Sequence, residues 1–170
     1  MTNYGKLITV KLQEEKKRAV HSEKRQKFNH LQFEENDLQF QLRYKDIEKY
    51  GVVLDYISIS KSEQIIDLDI IKKQIETQAD AIQKRITFLL EDFRLIEMDN
   101  QNKRAQLRSY PPFKDDDSKY YYEIILDEGH KVHFQRYAYN MKEKRYEKIT
   151  SQLTIETFER LINELVSILK

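Results

Sequence analysis

The sequence predicts an α+β domain: an antiparallel β-sheet, with a four-stranded meander in its C-terminal half, packed by two or three helices on one face. Three observations predict it. Segments of period-two hydrophobic alternation come in pairs around short polar turns. Two other segments repeat their apolar residues at steps of three and four, the spacing of one helix face. The second half then reads helix, four antiparallel strands, helix. That order buries both helical stripes and leaves one sheet face wet.

The elements follow in chain order. Residues 13–27 carry only Ala19 and Val20 as apolar side chains, with Glu14–Arg18 and Glu23–Lys27 as acid-first i,i+4 pairs. Residues 1–35 are therefore expected to be a solvated helical arm or a mobile one. Leu38, Phe40, Leu42 and Tyr44 alternate with Gln39, Gln41 and Arg43, which predicts a half-buried strand. A turn over 45–51 leads into a β-branched strand over 52–60. Leu68, Ile71, Ile75, Ala79, Ile82 and Ile86 stack on one helix face, capped by Asp67 or Ser62 and ending near Leu90. Strands over 93–98 and 104–109 flank the polar loop 99–102. Pro111, Pro112 and the run Asp115–Asp116–Asp117 form the main loop. Strands over 119–127 and 131–139 turn at Gly129, where a positive φ suits glycine. Thr154 caps the last helix, with Leu153 and Phe158 placed as a hydrophobic staple and Ile155, Ile162, Leu165 and Leu169 along its face. No linker rich in Pro, Gly or Ser interrupts the chain. One domain over 1–170 is expected, and two lobes, if present, would meet near 61–66.

Composition narrows the chemistry. The chain has 170 residues, 39% apolar and 35% charged, against a usual ~45–50% and ~25%. A thin core under a heavily charged surface follows. Thirty basic and 29 acidic side chains leave a net charge of +1, so no global field draws the protein to nucleic acid or anionic lipid. The absence of cysteine removes disulfides, thiolate metal sites and cysteine nucleophiles. No run approaches the ~20 apolar residues of a membrane helix, and none resembles a signal peptide. A cytoplasmic protein without membrane contact is expected. Gly5, Gly51 and Gly129 lie too far apart for a phosphate-cradling loop, and no nucleophile elbow is present.

Four groups of residues invite chemistry. His130 and His133 are three apart, so a strand sends their rings to opposite faces, and no third ligand is patterned. They read as exposed hairpin histidines. Asp115–Asp117 lacks the alternation and glycine of a calcium loop and reads as a solvated acidic loop. The basic segment Lys16–Lys27 is blunted by interleaved acids and reads as a solvated face. The tyrosines are different, because seven of the eleven fall between Tyr110 and Tyr146. Alternation places Tyr121, Tyr137 and Tyr139 on one sheet face with His133 and Gln135, near Arg104, Arg108 and Lys119. It turns Tyr120 and Tyr122 inward. The residues expected to bind a partner are Arg104, Arg108, Tyr121, His133, Arg136, Tyr137 and Tyr139, and no catalytic, cofactor or metal residue is assigned.

The first functional expectation is a non-enzymatic interaction module, a small adaptor, chaperone-like or self-associating domain that uses this Tyr/Arg-rich face. The second is a single-stranded nucleic-acid-binding domain using the same face, with tyrosines stacking bases and cations holding phosphates. The third is a hydrolase with its site near the 109–119 loop.

Overall fold

The structure is a computed structural model and describes residues 2–19, 27–89 and 91–170. Its elements are α1 (Tyr4–Ala19), β1 (Asn29–Glu35), β2 (Leu38–Ile47), β3 (Gly51–Lys61), α2 (Leu68–Arg85), β4 (Asp92–Asp99), β5 (Arg104–Tyr110), β6 (Phe113–Lys114), β7 (Ser118–Asp127), β8 (Lys131–Asn140), β9 (Arg145–Ile149), β10 (Ser151–Thr154) and α3 (Ile155–Leu169). The α+β class and the antiparallel pairing are as expected. The sheet is larger than expected: among the described residues it has ten strands where the sequence marks six, four of them in the C-terminal half. Its main path runs β1-β2-β3-β8-β7-β5-β4, so the pairing of β3 with β8 carries the ladder straight across the 61–66 connection.

The extra strands have a physical origin. β1 extends β2 as a seven-residue hairpin partner, with Leu31 and Phe33 set opposite Leu42 and Phe40. β9 and β10 form one wedge. β8 pairs with β3 only through residues 131–135, and its outer half, 136–140, pairs with β9. The inner end of β3, residues 51–54, pairs with β10. The 145–154 segment thus fills the gap where β3 and β8 part.

The three helices of the described residues lie on one face. Leu42, Ile57, Phe134, Ile124 and Leu107 are successive cross-strand partners on that face, each almost wholly buried. Residues 4–19 do not form a free arm. Tyr4, Ile8 and Leu12, spaced by four, make a narrow apolar stripe, and Tyr4 stacks on Phe40 at 5.7 Å. Gly5 lets this helix touch α3 backbone to backbone: a Cβ there would lie 2.6 Å from the Cα of Glu159. The part of the basic segment over 20–26 lies outside the described residues; Lys16 bonds Asp46 and Glu48 at 3.1 and 3.3 Å. Asp67 caps α2 through its carboxylate, which accepts from the N–H groups of Asp69 and Ile70. That helix stops at Arg85 rather than near Leu90, while Ile86 and Leu89 stay in the core on irregular chain. Thr154 caps α3 by accepting from Thr157 N–H, and Phe158 is fully buried behind it. Among the described residues no helix is long and apolar enough to cross a membrane.

Candidate functional site: the open face of the sheet

With the helices on one side, no helix among the described residues packs on the other side of the sheet, where Phe28 lies over Arg43 at 4.1 Å. Directly opposed residues of an antiparallel pair share a face, so the register turns strands into transverse rows. One row crosses six strands as Arg43, Tyr56, Gln135, Glu123, Arg108 and Arg94. The next reads Gln41, Ser58, His133, Ile125, Gln106 and Glu97. Tyr121, Tyr137 and Lys148 form a row on the other side, followed by Lys119, Tyr139 and Tyr146. Tyr121, His133, Tyr137, Tyr139, Arg104 and Arg108 therefore share the open face.

Arg136 does not. It neighbours Tyr137 in a strand, so it points the opposite way. Its Nη1 donates to the Tyr122 hydroxyl at 3.0 Å, and its guanidinium lies 4.5 Å from that ring, on the helix side. Period-two reasoning on the two adjacent residues already separates them. Tyr56, Tyr146, Lys148 and Glu123 were not assigned from sequence. Their place depends on which strands pair and in what register, and local alternation carries no such information.

The centre of the face is a cation among aromatic rings. The Arg108 guanidinium lies 4.7, 5.3 and 5.8 Å from the ring centres of Tyr121, Tyr137 and Tyr146. Tyr121 stacks on Tyr137 at 5.5 Å, and Tyr146 meets Tyr137 edge-on at 5.3 Å. Lys148 Nζ sits 4.7 Å over Tyr56, whose ring lies 5.3 Å from His133. Beside Arg108, Glu123 is only 8% exposed; its two oxygens accept from Gln106 Nε2 and Gln135 Nε2, each at 2.7 Å. That bond orients the Gln135 amide, so His133 Nε2 carries the proton it donates to Gln135 Oε1 at 3.2 Å. Burial pushes the imidazole below its usual 6.5, against the opposing pull of the Gln135 bond. His133 is thus half-buried and bonded, not an exposed hairpin residue.

These side chains enclose a depression of about 410 Å³ lined by Gln106, Arg108, Glu123, Gln135, Tyr137, Tyr146, Glu147 and Lys148. A second, of about 380 Å³, adjoins it through Glu123 and Gln135 and reaches Arg104, Asp127, Lys131 and His133. Tyr137 is 7% exposed, and its hydroxyl and Arg108 Nε have no hydrogen-bond partner among the described residues. Burial raises the Tyr137 phenol pKa above its ordinary value, with Glu123 adding to the effect. The hydroxyl is thus neutral and keeps its proton.

The loop over 109–119 holds a smaller hollow, about 270 Å³, between Leu89, Glu91, Pro111, Pro112, Phe113, Tyr122 and Arg136. Glu91 accepts from Phe113 N–H through one oxygen, and Ser109 Oγ, fully buried, accepts from Tyr122 N–H, while Glu91 Oε2 and Arg136 Nε have no partner among the described residues. Asp115 caps Asp117 and Ser118 N–H groups and accepts from Tyr120, while Asp117 pairs with Lys142 at 3.0 Å. The Tyr120 hydroxyl, with the Ser118 N–H, holds Asp115 below the usual carboxylate range. Among the described residues no cluster of three His, Asp or Glu is set to hold a metal ion. Comparisons with protein-family models, curated proteins and solved structures find no match to the chain.

Proposed function

We propose that this protein is a non-enzymatic interaction module that binds a protein partner through the open face of its sheet. The observation that carries this reading is the Arg108 guanidinium packed over three tyrosines on the face of the sheet opposite the helices. Tyr and Arg are the side chains that dominate binding energy at protein interfaces. Size supports the reading too. Five strand spacings by the length of β8 give about 24 by 30 Å, or roughly 720 Å², near the ~800 Å² each partner contributes to a standard interface. Base stacking on the same face is less well supported. Tyr121 and Tyr137 stack on each other and lie under Arg108, so their ring planes are already occupied.

The test is retention of a partner from native extract, together with light scattering of the purified protein. The double variant Arg108→Ala/Tyr121→Ala is expected to lose a partner or second copy that the wild type holds. A helix-side control, Arg160→Ala, is expected to keep it. Equal retention by all three proteins ends the proposal.

A further inference from the structure

The 410 Å³ depression at the centre of the open face has a chemistry of its own. This inference rests on the interaction reading above and names the partner's chemistry. Two residues that line the hollow each carry a buried donor without an acceptor among the described residues: the Tyr137 hydroxyl and Arg108 Nε. Leaving buried donors unmade is costly, and an incoming acceptor recovers that cost. Arg108 and Lys148 both line the hollow, and neither forms an ion pair among the described residues. Both cations and the phenol call for an anionic oxygen. The acids nearby do not fill that role. Glu123 is tied by two amide donors, and Glu147 alternates with Tyr146 and Lys148 along β9 and is exposed at the rim.

We propose that the hollow seats a carboxylate from an acidic segment of a protein partner. Tyr137 Oη donates to one carboxylate oxygen, with Arg108 and Lys148 on either side. The remaining lone pairs of Glu123 accept a backbone N–H next to that carboxylate. A peptide Asp or Glu supplies both groups at adjacent positions. A phosphodiester supplies oxygens but no N–H for Glu123, and Tyr121 and Tyr137 already turn a ring plane to each other.

The test is a fluorescence-anisotropy titration of the full chain with a short labelled peptide alternating Asp and Glu. A Gly/Ser peptide, an oligolysine and an oligothymidylate of equal length serve as rivals. The acidic peptide is expected to bind in a saturable way, more weakly as salt rises. Tyr137→Phe removes only the hydroxyl. It is expected to weaken the peptide about tenfold, the loss of one hydrogen bond to a charged group. It is also expected to melt no lower than wild type, since an unpaired buried hydroxyl is gone. Lys148→Gln is a second variant at an accessible position and is expected to weaken binding similarly. Unchanged affinity in both variants overturns the proposal, and so does equal or tighter binding of any rival. Capture of an extract partner through Arg108, combined with no binding of the acidic peptide, retains the interaction reading and rejects the carboxylate.

Discussion

His133 sits half-buried between Tyr56 and Gln135, with Glu123, Lys131 and Lys148 acting on it at longer range. Its folded-state pKa lies below 6.5, the value it recovers on unfolding. Between those two values the unfolded chain binds more protons than the folded one, so stability rises with pH through the window. The protein is expected to lose stability as pH falls below about 6.5, and more steeply than His133→Gln does. Chemical denaturation at a series of pH values between about 7 and 5 measures both slopes. Parallel slopes would show that another group governs acid sensitivity. At this scale the sequence is a good guide to which way a strand side chain points. It placed Tyr121, Tyr137 and Tyr139 together, and the same rule excludes Arg136 from their company. It is silent on what a side chain meets across a strand boundary, and the Glu123–Gln106–Gln135 bridge consists entirely of such contacts.

At the scale of elements, legibility follows the amount of apolar surface each one buries. α2, α3, β2, β3, β7 and β8 bury whole faces and show clear periods in the sequence. α1 buries Tyr4, Ile8 and Leu12, one residue per turn, beneath a dense covering of charge. β9 has an exposed or half-exposed side chain at every position, so it has no hydrophobic pattern to read. It is a strand because β8 offers it a ladder. The α1–α3 crossing rests on Gly5, whose N–H also donates to Asn163 Oδ1 at 3.0 Å. Gly5→Ala drives a methyl group into the Glu159 backbone, which cannot swing aside as a side chain can. The expected loss is about 1–3 kcal/mol, the usual range for overpacking, measured by urea unfolding. An unchanged midpoint would mean that the two helices are free to separate.

At the scale of the molecule, one ladder joins residues from both sides of the 61–66 connection, and one cluster of buried side chains lies under all three helices. Far-ultraviolet circular dichroism and tyrosine fluorescence are therefore expected to give coincident unfolding transitions. Two separated midpoints would reveal lobes that unfold independently. The wedge formed by β9 and β10 adds a property of the whole. Tyr146 and Lys148 project from it on the side opposite the helices, and Thr154, its last residue, is already the cap of α3. No slack loop intervenes to absorb a displacement. A guest gripping those two side chains would pull on a lever whose far arm is a helix in the opposite layer. Docking on the front of the protein would thereby be felt at its back.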